Sequence, residues 1–261
     1  MNQTPPPDFS SSNSGQPTPQ PSTFMPAPRR ALPVPWVTYV MMGICVIVYI
    51  GQVLTQNLFG IDLLGLYGEK INAAIVAGEL WRLVTPIWLH ASILHIGFNM
   101  YALFIFGPGL ERQYGHERYL LLYLLSGIAG NVFSFLFTAA ASLGASTSIF
   151  GLIAAEGVFI YQNRELMGNR FRAAMSNIVF VVVINLFLGV STPGIDIWGH
   201  IGGLIGGFAF AWAASPVLEP QMVDGHIQLM DKRSKTQARL LAVGILVFLM
   251  ALTYFGITRQ S

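Results

Sequence analysis

The sequence predicts an all-α protein that crosses a membrane several times. Hydrophobic residues make up 53% of the 261 residues, charged residues only 10%, and the mean hydropathy is +0.57. A soluble domain usually carries about 25% charged residues. The apolar residues also form seven segments near the length of about 17–25 residues that a spanning helix needs: 34–56, 94–110, 118–140, 146–162, 173–190, 198–215 and 239–257.

Residues 1–33 precede these segments and are rich in Pro, Ser, Gln and Thr. Such a composition cannot bury enough apolar surface to offset its ordering entropy, so it predicts a disordered tail. The tail has no positively charged start followed by an apolar stretch, so it is not expected to be a secretory signal. The net charge of +2 is too small to indicate a nucleic-acid partner. The single cysteine, Cys45, excludes an internal disulfide.

The basic residues predict the orientation. Placing the tail in the cytoplasm leaves only Lys70, Arg82 and Arg259 on the outer side. The inner side then holds eleven basic residues, as the positive-inside rule requires: Arg29, Arg30, Arg112, Arg118, Arg164, Arg170, Arg172, Lys232, Arg233, Lys235 and Arg239.

In this topology the second, fourth and sixth segments all run inward, so their first residues share one layer near the outer face. That layer contains His95, Asn99, Ser146 and His200. A hydroxyl and an imidazole at membrane depth are expensive unless they are used or satisfied. Ser146 is therefore the candidate nucleophile, and His200 is the candidate base that takes its proton.

Small residues predict that the segments carrying Ser146 and His200 touch. Glycine recurs at every fourth position after Trp198, and the segment that begins at Ser146 also offers small residues. Small residues at this spacing let two helix backbones approach closely in lipid. The residues concerned are Gly199, Gly203 and Gly207, with Gly202 and Gly206 alongside, and Gly151, Ala154 and Ala155.

His95 and Asn99 are four residues apart and so lie on one face of the second segment. Both side chains can donate hydrogen bonds, and a tetrahedral intermediate needs donors aimed at the oxygen that becomes negative. We therefore expect both residues to stabilise the oxyanion, together with the backbone N–H of Ser146.

Other interpretations remain open at this point. Ser146 is also a favoured residue for a helix N-cap. His90 and His95 are possible metal ligands, but the His-Glu-x-x-His spacing of zinc peptidases is absent, so we expect neither a metal nor another cofactor. A transporter would show internal repeats, and no convincing halves are visible.

Two carboxylates near these residues need an interpretation. Asp196 lies one turn before His200 and is the only carboxylate placed to orient that imidazole, yet its position in the outer loop favours a Ser–His dyad. Glu156 lies about 15 Å beyond Ser146 at about 1.5 Å per residue, which is too far for a third catalytic member.

Five motifs in order resemble the rhomboid intramembrane serine proteases: Trp81-Arg82, His90-x4-His95-x3-Asn99, Glu111-Arg112, Gly144-x-Ser146 and Gly199-His200-x-Gly202-Gly203. The resemblance implies a rhomboid-like six-helix catalytic core over residues 34–215 and cleavage of transmembrane segments near their outer ends. A cytoplasmic linker, 216–238, would then lead to a seventh transmembrane helix within 239–261. The implied partners are transmembrane protein substrates and the lipid bilayer, and the implied location is the plasma or inner membrane.

The resemblance also assigns roles to single residues. It places the nucleophile at Ser146, the base at His200, the oxyanion side chains at His95 and Asn99, and an aromatic that stacks on the base at Phe150. Thr147 departs from the usual glycine or alanine, and we expect its branched side chain to narrow the cavity and alter substrate preference. Arg82 is expected to bind backbone carbonyls or a lipid phosphate. The alternative is a catalytically inactive relative that binds or escorts membrane proteins.

Overall fold

The computed structural model describes Met1, residues 33–223 and residues 226–260. The predicted disordered tail, with Arg29 and Arg30, lies almost wholly outside the described residues. From Pro33 onward the chain forms one compact unit. Its helices are α1 (Trp36–Phe59), α2 (Leu63–Gly68), α3 (Asn72–Val76), α4 (Ile93–Tyr114), α5 (His116–Phe137), α6 (Ser146–Gln162), α7 (Arg164–Met167), α8 (Phe171–Ser191), α9 (Ile197–Ala214) and α10 (Lys235–Gln260).

Within the described residues, six helices are long and apolar enough to cross a membrane, which confirms the predicted all-α polytopic fold. Five of them are α1, α4, α5, α9 and α10. The sixth is the stretch Arg164–Ser191, which contains α8. The remaining predicted segment, 146–162, forms α6, which has only 17 residues. Ten of those residues are buried, because α6 lies in the middle of the bundle against α4, α5, α8 and α9.

The glycines of α9 allow it to pack closely against both α6 and α5. A Cβ atom at Gly203 would lie 2.1 Å from the Thr147 carbonyl oxygen, and one at Gly207 would lie 2.3 Å from the Gly151 Cα, both on α6. On the neighbouring side of α9, a Cβ at Gly206 would lie 2.4 Å from the Ala129 Cβ of α5. The predicted contact with α6 is confirmed, and a second set of glycines on α9, Gly202 and Gly206, packs against α5.

A carboxylate from α4 accepts hydrogen bonds from the first backbone N–H groups of α1. Glu111 accepts hydrogen bonds from the backbone N–H groups of Val37 and Thr38, at 2.9 and 2.7 Å, and from the Thr38 hydroxyl at 2.7 Å. The first N–H groups of a helix lack intrahelical partners, so this buried side chain acts as their cap. His116 Nδ1 lies 2.6 Å from the same carboxylate.

We expect Glu111→Gln to lower the free energy of unfolding by about 2 kcal/mol, because charge-assisted hydrogen bonds to buried N–H groups are lost. Thermal unfolding in detergent measures this change. Arg112→Gln is the matched control, since Arg112 is exposed and adjacent. Equal melting temperatures for the two variants would contradict the capping role.

The connection between α1 and α4 is folded rather than extended. It contains α2, α3 and two short 3₁₀ helices, Leu80–Leu83 and Thr85–Trp88. Arg82 is buried and donates to the carbonyl oxygens of Glu69 and Leu66 at 2.8 and 2.9 Å, and to the Glu79 carboxylate at 2.6 Å. Of the two expected partners of Arg82, backbone carbonyls are therefore the ones observed.

The segment that was predicted as a linker, 216–238, contains an antiparallel hairpin of β1 (Leu218–Val223) and β2 (His226–Asp231). Its base is held by an ion pair of 2.5 Å between Asp231 and Arg118 of α5. Asn163, at the end of α6, accepts from the Leu218 N–H at 2.8 Å. The hairpin is therefore attached to the ends of α5 and α6.

Candidate active site

Ser146 and His200 meet where α6 and α9 begin. The Ser146 Oγ lies 2.9 Å from the His200 Nε2, although 54 residues separate them in sequence. His200 is 9% exposed, and Ser146 is partly buried. This is hydrogen-bond distance, so the imidazole nitrogen is placed to accept the hydroxyl proton.

The start of α6 depends on Gly144. This residue has φ +133°, a conformation that side-chain-bearing residues rarely adopt. Its N–H donates to the Pro86 carbonyl at 2.9 Å. A Cβ at this position would lie 2.7 Å from the His95 Nε2 and 3.6 Å from the Ser146 Oγ. The missing side chain therefore lets the His95 ring approach the segment that leads into Ser146.

The interpretation of Ser146 as a helix cap is not supported. The N-cap of α6 is Ala145, and no side chain caps this helix end. The Ser146 hydroxyl instead faces His200.

The hydrogen bonds of His95 determine which ring nitrogen carries a proton. Its Nδ1 accepts from the Ala91 N–H at 3.4 Å. In a neutral imidazole the other nitrogen is then the donor, and here that is Nε2, which faces Gly144. Asn99 is buried one turn further along α4, and its amide donates to the His95 carbonyl at 2.9 Å. The second amide hydrogen of Asn99 is not used in this bond.

The His90 ring packs against the His95 ring. The His90 and His95 rings contact edge to face, with centroids 5.2 Å apart. Burial, and then the neighbouring His95, lower the pKa of His90 to about 4, so its ring is neutral at pH 7. Among the described residues, no three His, Cys, Asp or Glu side chains come together as a metal site.

The five motifs that carry the resemblance all lie within residues 77–217. The model of the Rhomboid domain family matches residues 77–217, which is more than half of the chain. The chain belongs to the rhomboid family. With its apolar helices, this rhomboid is an integral, multi-pass membrane protein.

Relatives with the family name occur in bacteria and plants. Rhomboid protease GluP of Bacillus subtilis is 41% identical over 180 residues, covering 69% of this chain and 35% of GluP. RHOMBOID-like protein 9, chloroplastic, of Arabidopsis thaliana is 37% identical over 179 residues, covering 68% of this chain and 41% of the relative. RHOMBOID-like protein 1 of the same plant is 38% identical over 173 residues, covering 63% and 44%. The rhomboid described here thus spans less than half the length of each.

Phe150 and Thr147, which both follow Ser146 on α6, can also be compared with what the resemblance implies. The Phe150 ring stacks on the His200 ring with centroids 4.4 Å apart and an interplanar angle of 22°, as the resemblance implies. Thr147 is buried, and its side chain packs toward Gly130 of α5 and Gly199 of α9. The expectation that Thr147 narrows the cavity is therefore wrong, because the side chain fills the contact among α5, α6 and α9.

Asp196 caps the start of α9. Its Oδ1 accepts from the Gly199 N–H at 2.9 Å, which is an N-cap bond. Among the described residues, neither the Asp196 Oδ2 nor the His200 Nδ1 has a hydrogen-bond partner. In the part of the chain that the structure describes, no carboxylate therefore orients this imidazole by a hydrogen bond.

The sequence pattern did not predict the surroundings of the Glu156 and Lys70 side chains. Glu156 is partly buried on α6, and its carboxyl group faces Gln113 of α4 rather than the Ser146 region. The sequence pattern places Lys70 only among three outer charges, yet its side chain is fully buried. The sequence feature that could have indicated this burial is the position of the lysine, two residues before Asn72 and between α2 and α3.

Proposed function

We propose that this rhomboid is an intramembrane serine endopeptidase that cleaves transmembrane segments of membrane proteins near their outer ends. The observation that carries the proposal is the 2.9 Å contact between the Ser146 Oγ and the His200 Nε2. A serine hydroxyl becomes a good nucleophile when a neighbouring base takes its proton. Three relatives that match most of this chain carry the family name, and one of them is named a protease.

In the proposed reaction, Ser146 attacks the carbonyl carbon of the substrate while its proton passes to the His200 Nε2. The C–N bond then breaks, and His200 returns the proton to the leaving amine. A water molecule from the outer face, deprotonated by His200, attacks the acyl-enzyme. The C–O bond to Ser146 then breaks, and His200 returns the proton to the Ser146 oxygen. The His95 Nε2–H, the Asn99 amide and the Ser146 backbone N–H stabilise the oxygen that becomes negative.

We further propose that the substrate helix enters between α4 and α8 and partly unwinds before cleavage. Only Ile178 and Gly189 of α8 are buried, so this helix contributes the smallest buried share of the described spanning helices. On α4, Phe98 and Tyr101 are exposed beside the buried Asn99. A helical peptide bond is shielded by its own hydrogen bonds, so segments with Gly, Ser, Ala or Pro near the outer boundary are the expected substrates.

The proposed location is the plasma or inner membrane, with the N terminus in the cytoplasm. The excess of Lys and Arg in the connections on that side supports this orientation. The hairpin and α10 then continue the proposed core, 34–215, as a cytoplasmic connection and a seventh transmembrane helix.

The test is reconstitution of wild type and Ser146→Ala in liposomes with a generic transmembrane substrate, followed by mass mapping of the products. We expect one cut near the outer end of the substrate helix with wild type and none with Ser146→Ala. A cut that persists in Ser146→Ala would reject Ser146 as the nucleophile. Substrate binding without cutting, and without labelling of Ser146 by a serine-hydrolase probe, would favour the binding or escort role.

Replacing His95 with alanine should lower kcat by about 10²–10³-fold, because one oxyanion donor is lost. KM should change little, since the donor acts on charge that develops in the transition state. Steady-state kinetics on the same substrate measure both constants. His116→Ala is a control with an imidazole removed far from Ser146, and an equal loss of kcat in that variant would contradict the role of His95.

Replacing Asp196 with alanine should reduce stability by about 1 kcal/mol through loss of the α9 cap. We expect kcat, per folded molecule, to fall less than tenfold, because Asp196 makes no hydrogen bond to His200. Thermal unfolding and probe-titrated kinetics separate the two effects. A loss of most activity in a variant that still folds would replace the dyad with a triad.

A further inference from the structure

Lys70 is a fully buried cation at the end of the bundle that holds Ser146. Its Nζ donates to the carbonyl oxygens of Ala140 and Thr138 at 2.6 and 3.1 Å, and to the Asn72 side-chain oxygen at 2.9 Å. These carbonyls follow directly on α5. The C-terminal end of a helix carries partial negative charge and unpaired carbonyls, so an ammonium group there caps it.

The backbone of Lys70 holds the same segment at a second point. The Lys70 N–H donates to the Ser142 carbonyl at 2.9 Å, and the Ser142 N–H donates to the Lys70 carbonyl at 3.1 Å. Side chain and backbone of one residue thus bind both ends of a short stretch, 138–142. Burial lowers the pKa of the Lys70 ammonium to about 8, so the group is still mostly protonated at pH 7.

The stretch held by Lys70 leads directly into the candidate active site. Two residues after Ser142 comes Gly144, whose N–H is bound by Pro86 and whose Cα faces His95. Ser146 follows two residues later. At about 3.5 Å per residue or less, the four steps from Ser142 place it no more than about 14 Å from Ser146, so the segment that Lys70 holds is a close neighbour of the Ser146 N–H.

The same group of contacts includes the last turn of α10. The Asn72 amide donates to the Phe135 and Thr138 carbonyls at 3.1 and 3.2 Å and to the Gln260 side-chain oxygen at 3.3 Å. The Gln260 amide in turn donates to the Phe135 carbonyl at 3.1 Å. The end of α10 is thereby joined to the end of α5.

We propose that Lys70 is a positioning residue that, supported by Asn72 and α10, holds segment 138–145 and so places the Ser146 nucleophile and its backbone N–H toward His95 and His200. The inference rests on the proposed protease function. It also assigns a role to the seventh helix, which completes the support of this segment.

The experiment compares Lys70→Met with Arg118→Met. Arg118 is also a buried cation on a hydrogen-bonded network, but it binds Asp231 and the Arg233 carbonyl beside the hairpin. Three quantities are measured on the full chain: the rate of Ser146 labelling by a fluorophosphonate probe, kcat and KM on a transmembrane substrate, and hydrogen exchange of the amides in 138–146. Thermal unfolding reports general stability.

We expect Lys70→Met to slow labelling and lower kcat at least tenfold, to leave KM within twofold, and to speed exchange in 138–146. Arg118→Met should lower the melting temperature without these effects. Wild-type labelling and exchange in Lys70→Met, or an equal effect in Arg118→Met, would overturn the proposal.

Two further outcomes are also decisive. If Lys70→Met does not fold, Asn72→Ala removes part of the same support, and we expect the same changes with smaller size; unchanged exchange in that variant rejects the proposal. If wild type itself neither labels nor cleaves, the proposed function fails, and hydrogen exchange alone then decides whether Lys70 holds 138–146.

Discussion

His200→Ala should lower kcat/KM for a transmembrane substrate by at least about 10⁴-fold. Without the imidazole, the Ser146 hydroxyl keeps its proton and the leaving amine receives none, so both halves of the proposed reaction lose their acid–base group. The stacking partner Phe150 loses its neighbour as well, so thermal unfolding of the variant must be measured beside its activity. Labelling by a fluorophosphonate probe should fall in parallel, since the same proton transfer activates Ser146 in both reactions.

The double variant Ser146→Ala/His200→Ala provides the control for His200. Residues that act as one unit show strongly non-additive losses, so the double variant should be no less active than either single variant. Losses that multiply would show that the two side chains act independently. Such a result would remove the 2.9 Å contact from the mechanism.

Gly203→Val should abolish detectable cleavage, with a loss of at least about 10²-fold in labelling of Ser146. The new Cβ would lie 2.1 Å from the Thr147 carbonyl oxygen, which belongs to the backbone and cannot turn away. The helices α6 and α9 must then separate. A misplacement of about 1 Å between reacting groups can cost about 10²-fold in rate.

Gly43→Val is the matched control for this prediction. Gly43 lies inside α1, and apart from the neighbouring backbone of α1 itself no heavy atom of the described residues lies within 4 Å of the position where its Cβ would be. The two substitutions are chemically identical, so a difference in labelling reports packing alone. Normal labelling in a folded Gly203→Val variant would show that the close approach of α6 and α9 is not needed to place His200.

The sequence determined the class of fold and the group of residues at the candidate site. Apolar runs separated by charges already specify spanning helices, because a lipid bilayer allows few other structures. The alternation of helix direction then placed the starts of α4, α6 and α9 at one end, and the structure brings His95, Ser146 and His200 together there.

Several features of the bundle depended on distances between segments far apart in sequence. The pattern did not show that α6 is central and mostly buried, nor that Thr147 points into the contact with Gly130 rather than into a cavity. The hairpin 218–231 was also missed, since its strands carry few of the alternating apolar residues that mark a buried sheet.

Thus residue chemistry and periodicity were enough to predict that Ser146 and His200 lie near each other, because membrane depth reduces the problem to one dimension. Only the tertiary structure decided what each of them touches. It assigned Asp196 to a helix cap, placed Arg82 on carbonyl oxygens and buried Lys70 beneath the segment before Ser146. The physical reason is that a hydrogen bond requires a donor and an acceptor within about 3.5 Å, and such distances across segments are absent from the linear pattern.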